Sequence, residues 1–237
     1  MGVNSGSPAI ANLAAQVGFD AVWVEMEHAP TNFERVDTVC LAAEADGAVP
    51  LARVPDGHRH HVLGALEAGA RIIVVPMTNT AEQAQAIVEY GKYPPVGSRG
   101  FITRTRNLGF GLRAPVEALE RANRRTFLFA QIETLEAVEN LDAICQVDGL
   151  DGIFMGPADL SVSMGMIGQV NEPKVISVVV DCLKRGQTAG KLTGIMVAPG
   201  PLLDACYEAG VQLVVCAGDL MNLTVIWPQQ LEAIPNL

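Results

Sequence analysis

Short apolar runs recur along this chain, each followed by a longer amphipathic stretch, and that alternation restricts the fold more than any single motif. The runs fall at residues 21–24, 49–52, 72–75, 127–132, 152–155, 194–197 and 213–216, with Val3 in a clipped first run. Strand then helix, repeated about eight times in a chain of roughly 250 residues, predicts a (β/α)₈ TIM barrel occupying residues 1–237 as one domain. An open doubly wound sheet is the alternative, with fewer strands. Hydrophobic residues make up 49% of the chain and charged residues 18%, enough to build a large core. Aromatics are only 5%, so Ala, Val, Leu and Ile must fill that core, as parallel strands buried on both faces require.

Local signals agree with this period. Ser7-Pro8 opens a helix over "AIANLAAQVG" that Gly18 closes, and Thr80 caps "AEQAQAIVEYG". "LEAGA" at 66–70 and "YEAGV" at 207–211 repeat one helix–Gly–strand junction. The longest irregular segment is 93–113, rich in Gly and Arg, and a loop of that length inside a compact domain is usually functional.

A net charge of −10 repels phosphate backbones, so nucleic acid is not an expected partner. Five widely spaced cysteines without a C-x-x-C pair read as reduced core residues of a cytoplasmic protein. No signal peptide is recognisable at the start, and no apolar run reaches the roughly 18 residues of a membrane span.

In a barrel the chemistry gathers at the C-terminal ends of the strands. Those ends carry Glu25, Glu27 and His28 of "VEMEHAP", then Arg53, then Gln131 and Glu133, then Asp159 of "GPADLS". Glu133 and Asp159 lie one β/α unit apart, on neighbouring strand ends spaced by roughly 5 Å. Two carboxylates that close repel unless a cation or proton lies between them, and oxygen-only ligation favours Mg²⁺ or Mn²⁺. The alternative is that each caps the helix that follows it. His28 is placed as a general base or as a hydrogen-bonded strand-end histidine. Arg53 is placed to bind an oxyanion or to pair with Glu25 or Glu27. His58, His60 and His61 read as a solvated helix start, and the segments at 198–202 and 217–221 offer only a weak phosphate site.

Five blocks in order, "GFDAVWVEMEHAP", "VVPMTNTAEQA", "YPPVGSRG", "QIET" and "DGIFMGPADLS", resemble the class II pyruvate aldolases of the 4-hydroxy-2-oxoheptanedioate aldolase type, the HpcH/HpaI aldolase family. The resemblance implies a barrel of the phosphoenolpyruvate/pyruvate type. It also implies aldol cleavage of 4-hydroxy-2-oxo acids to pyruvate and an aldehyde, with Mg²⁺, Mn²⁺ or Co²⁺ as cofactor and a homo-oligomer, a hexamer, as the assembly. By the same resemblance Glu133 and Asp159 are the metal ligands. Gln131 and the backbone around Ala158 hold pyruvate, Arg53 steadies the keto oxygen, and His28 is the base with Glu67 as its acidic partner.

The sequence departs from the family pattern at Glu25 and Glu67, where Asp is usual, and it starts about one helix late, so that a helix covering the barrel floor is expected to be missing. The acceptor aldehyde is expected to lie between loops 101–112 and 196–202. A Schiff-base route is disfavoured, because none of Lys92, Lys174, Lys184 and Lys191 ends a strand. The competing readings are a citrate-lyase-β or malyl-CoA-lyase-like enzyme, with the arginine loop as a nucleotide cradle, a phosphate-binding isomerase, and a non-catalytic barrel that binds a 2-oxo acid.

Overall fold

The computed structural model describes residues 1–234. Its strands are β1 (Gly2–Val3), β2 (Ala21–Glu25), β3 (Val49–Arg53), β4 (Ile72–Val75), β5 (Phe127–Ile132), β6 (Gly152–Met155), β7 (Leu192–Met196) and β8 (Leu213–Val215). All are parallel and pair in sequence order in one eight-stranded sheet. The Gly2 N–H donates to the Ala217 carbonyl over 2.7 Å, and a parallel bridge joins Gly2 to Gly218. The sheet thereby closes into the expected barrel. The seventh strand starts two residues before the expected run, because Thr193 is fully buried and its backbone and hydroxyl are bonded by Gln212 and Gln187.

The helices are α1 (Pro8–Val17), α2 (Phe33–Ala45), α3 (Arg59–Glu67), α4 (Ala81–Gly91), α5 (Pro115–Arg125), α6 (Leu135–Glu139), α7 (Leu141–Cys145), α8 (Pro157–Ser163), α9 (Pro173–Thr188), α10 (Pro201–Glu208) and α11 (Asp219–Glu232). A 3₁₀ segment, Arg106–Gly111, interrupts the long loop before α5. Ser7 caps α1 and Gly18 ends it with a left-handed φ of 107°. Thr80 and Gln83 form a reciprocal capping box on α4. No helix among the described residues is long and apolar enough to cross a membrane.

Side chains alternate between two cores. Outward residues such as Val22, Val24, Ile73 and Ile153 pack under the helices. Inward residues Trp23, Leu51, Val74, Phe129, Phe154 and Val215 fill the barrel. Trp23 and Phe154 meet at 5.2 Å between ring centroids. Glycine makes the room: a Cβ on Gly152 would fall 2.4 Å from the Phe129 ring, and one on Gly194 would fall 2.5 Å from the Phe154 ring. The cysteines are free, and burial pushes the thiols of Cys40 and Cys182 up to about 12.

Asp219, at the start of α11, accepts hydrogen bonds from the backbone N–H of Asn4 at 2.9 Å and of Ser5 at 3.1 Å. The segment weighed as a phosphate site therefore presents a buried carboxylate that is already satisfied by the β1–α1 turn.

Candidate active site

The period of two along each strand carries the inward apolar layer directly into a polar one. Two residues beyond Trp23 is Glu25, two beyond Leu51 is Arg53, and two and four beyond Phe129 are Gln131 and Glu133. The polar layer stands on the apolar plug at the C-terminal mouth of the barrel.

Glu25 is 1% exposed and organises half of this mouth. Its carboxylate accepts from Arg53 Nη2 at 2.7 Å, from Arg53 Nε at 3.0 Å and from Trp23 Nε1 at 3.1 Å. It also accepts from the backbone N–H of Glu27 at 2.7 Å and of His28 at 3.1 Å, which holds the "EMEH" turn closed. Burial pushes the Glu25 carboxyl upward, but the Arg53 guanidinium, Trp23 and the His28 N–H outweigh it and leave the group below its usual range. The Arg53 guanidinium also lies 5.4 Å from the Trp23 ring centroid and 3.2 Å from Glu27 Oε2. The arginine is thus held on three sides.

Glu133 is 2% exposed. Its Oε1 accepts from the Met77 N–H at 2.7 Å, and Gln131 Nε2 donates to its Oε2. Met77 adopts a left-handed φ of 51°, rare for a non-glycine residue, to aim that N–H inward. Glu133 does not cap the next helix. Thr134 does, accepting from the Ala137 N–H at 3.0 Å. Asp159 lies exposed in the first turn of α8 and makes no capping bond there, and the helix opens on Gly156 instead. Gly156 lets the chain pass close to Glu133, since a Cβ there would meet Glu133 Oε2 at 2.5 Å.

Burial raises the pKa of Glu133 above the ordinary carboxylate value, and the charges of Asp159 and Glu27 add to the rise. Burial likewise raises Glu27, with Arg53 and His28 opposing and Glu25 and Asp159 reinforcing. The mouth therefore holds three carboxylates, Glu27, Glu133 and Asp159, that feel one another and sit beside a fixed guanidinium. Gln131 Oε1 is buried there without a hydrogen-bond partner. His28 is 64% exposed at its side chain, with Nε2 at 3.7 Å from Glu27 Oε2.

Two expectations are corrected. Glu67 does not meet His28 within the chain. It ends α3, and a helix that follows a parallel strand runs back to the opposite end of the barrel. There Glu67 accepts from Arg99 Nη2 at 2.6 Å. Part of the arginine loop goes to that end too: Arg106 Nη2 donates to the Ala68 carbonyl at 2.6 Å and Asn107 donates to the Leu66 carbonyl. Residues 106 and 107 consequently line no acceptor pocket at the mouth of their own barrel, and Arg106 cradles no nucleotide there. His58 and His61 both turn Nδ1 toward Asp56, at 2.9 and 2.7 Å. Lys92 and Lys191 are committed to Asp151 and to the carbonyls of Val147 and Leu150.

The HpcH/HpaI aldolase/citrate lyase profile matches residues 1–221. The chain belongs to that family. It is 36% identical over 214 residues to a hydroxypyruvate/pyruvate aldolase of Roseobacter denitrificans, covering 90% of this chain and 83% of that protein. It is 35% identical over 225 residues to a 2-keto-3-deoxy-L-rhamnonate aldolase of Klebsiella pneumoniae, covering 94% and 83%. The crystal structure of an HpcH/HpaI aldolase from Desulfitobacterium hafniense superposes with a TM-score of 0.91 at 29% identity, covering 100% of this chain and 92% of that one. This family member is accordingly a carbon–carbon lyase acting on small molecules.

Aldolases of the family are generally dependent on a divalent metal, and the residues at the mouth fit one. The donors are oxygens only, Asp159 is exposed without a capping bond, and the repulsion between Asp159 and Glu133 is relieved by a cation. Among the described residues no three His, Cys, Asp or Glu side chains form a ready-made cage.

Proposed function

We propose that this lyase is a metal-dependent pyruvate aldolase that cleaves 4-hydroxy-2-oxo acids to pyruvate and an aldehyde, and runs the condensation in reverse. The observation that supports this is that Glu133, Asp159 and Glu27 lie within mutual electrostatic reach, with Glu27 3.2 Å from Arg53 and Glu25 holding that arginine from below. Glu133 and Asp159 would hold Mg²⁺, Mn²⁺ or Co²⁺, whose Lewis acidity makes a proton on the carbon beside the keto group easier to remove. Arg53 presents N–H donors to the keto oxygen as negative charge develops there. Gln131 and the backbone around Ala158 complete the 2-oxo acid subsite.

In the condensation direction His28 takes a methyl proton of pyruvate, and the C–H electron pair passes toward the keto oxygen beside Arg53. The methyl carbon then bonds to the aldehyde carbon, whose oxygen gains a proton. Cleavage reverses each step. Glu27, 3.7 Å from the imidazole, is the carboxylate that would orient it in place of Glu67. Sugar acids of the kind named for the Klebsiella relative are the candidate substrates, and the protein would work in the cytoplasm as a homo-oligomer.

The test is exchange of the pyruvate methyl protons in deuterated water, with Mn²⁺ or with EDTA. Exchange should require the metal, vanish in Glu133→Ala, and slow by about 10²–10⁴-fold in His28→Ala while pyruvate binding persists. Absence of exchange with every divalent metal would refute the proposal.

A further inference from the structure

The acidic character of the chain breaks down at one place, on the face of the barrel opposite the mouth. A cavity of about 160 Å³ opens there, lined by Arg71, Arg106, Arg113, Arg121 and Arg125, with Glu44 as the one carboxylate in its wall. Five of the 16 basic residues of a chain with net charge −10 thus converge on one hollow.

The fold brings them together from three elements. Arg71 directly precedes β4, where its N–H donates to the Pro50 carbonyl at 2.8 Å and its carbonyl accepts from the Phe127 N–H at 2.8 Å. Arg121 and Arg125 stand one turn apart on α5, whose C-terminal end is held by Lys92 through the carbonyls of Asn123 and Thr126. Arg106 and Arg113 come from the long loop, and the Arg106 side chain crosses so close to Gly69 that a Cβ there would lie 1.4 Å from its Nη2.

The charges are not balanced within the protein. Glu44 pairs with Arg71. Asp37 reaches Arg106 at 3.4 Å and Glu117 reaches Arg113 at 3.8 Å, each from an exposed position. No carboxylate pairs with Arg121 or Arg125 among the described residues, and Arg106 Nε and Nη1 are buried without a hydrogen-bond partner. Like charges one turn apart on a helix oppose folding, and a helix C-terminus attracts cations but does not neutralise them. Burial first, then Arg71 and Arg121, hold Arg125 below the usual arginine range.

We infer that this cavity binds a small multivalent oxyanion, a phosphate or a polycarboxylate, at a site separate from the aldolase mouth. Guanidinium groups converging from several directions match the paired oxygens of such groups. The hollow has room for at least one compact anion. The anion would tie the 106–113 loop to α5 and to the start of β4. The inference does not depend on the aldolase chemistry, because no residue is shared between the two sites.

The test is titration calorimetry of the full-length protein with its metal, using inorganic phosphate and, separately, tricarballylate, at constant ionic strength. At least one probe should bind, and the one that binds identifies phosphate or polycarboxylate as the ligand. Arg121→Ala with Arg125→Ala should weaken binding at least tenfold and leave methyl exchange unchanged. Arg53→Ala, which alters the mouth, should leave probe binding unchanged. The double variant should melt, in anion-free buffer, no lower than the wild type, which shows that it folds and that the two arginines are not structural. Arg121→Lys with Arg125→Lys should bind with intermediate affinity. The inference is overturned if neither probe binds, if binding survives the double alanine variant, if it is lost in Arg53→Ala, or if the double variant changes the oligomeric state without any probe binding to the wild type.

Discussion

Glu25→Gln tests the organisation of the mouth most directly. The substitution keeps the size of the side chain and removes its charge, leaving the Arg53 guanidinium, 11% exposed, without its bidentate partner. Deleting one member of a buried ion pair costs about 3–5 kcal/mol. Glu27 Oε2 remains 3.2 Å from Arg53 Nε, and a glutamine oxygen can still accept from the Glu27 and His28 N–H groups. The lower end, about 3 kcal/mol, is therefore expected. For a protein of this size that lowers Tm by about 6–12 °C near neutral pH.

The pH dependence has a definite sign. The folded-state pKa of Glu25 lies below its ordinary value of 4.5, so its stabilisation is present above pH 4.5 and is lost as the pH falls through the folded value. The Tm difference between wild type and variant should be constant near neutrality and shrink below that pH. Methyl exchange should fall at least tenfold, because Arg53 would no longer be held against the keto oxygen. A Tm within 2 °C of the wild type at neutral pH, or a gap that widens in acid, would refute the pairing.

Phe154→Ala should lower Tm by about 6–20 °C by emptying the barrel interior beside Trp23, at about 3–5 kcal/mol for a buried Phe, read by calorimetry. Gly156→Ala should cost activity more than stability: the new Cβ would sit 2.5 Å from Glu133 Oε2 and 3.0 Å from Gln131 Nε2, and exchange assays should show at least a tenfold loss. Asp56→Asn tests the histidine turn. Burial pushes Asp56 up, but its bonds to His61 and His58 bring it from 3.8 to about 2, so its contribution is present above 3.8 and is lost as the pH falls through about 2. Chemical denaturation should show the difference between wild type and Asp56→Asn closing over that window.

The barrel was legible because β-branched runs and left-handed glycines mark its period on the sequence, and because strand order then follows from chain order. Thr193 was missed because a polar residue at a strand start looks like the end of a loop, and only its bond from Gln187 explains its burial. The polar residues of the mouth were legible from their strand-end positions. Their partnerships were not, since spacing along the chain does not distinguish a capping carboxylate from one that reaches across strands, as Glu133 does to Met77. Glu67 differs for another reason. A motif suggests a partner for His28, but the end of a returning helix carries Glu67 to Arg99 within the chain. The left-handed backbone of Met77 left no sign in the sequence at all.

The grip of Asp219 on residues 4 and 5 spans 215 positions along the chain. During synthesis β1 has one neighbour, β2, and its other edge must wait until residues 217–219 have emerged from the ribosome. A nascent chain that has not yet reached them therefore carries an unsealed sheet, with free edges that invite pairing with other chains. The 217–219 latch completes the folding of this enzyme, and truncations that remove Asp219 should cause aggregation although every residue of the mouth is still present.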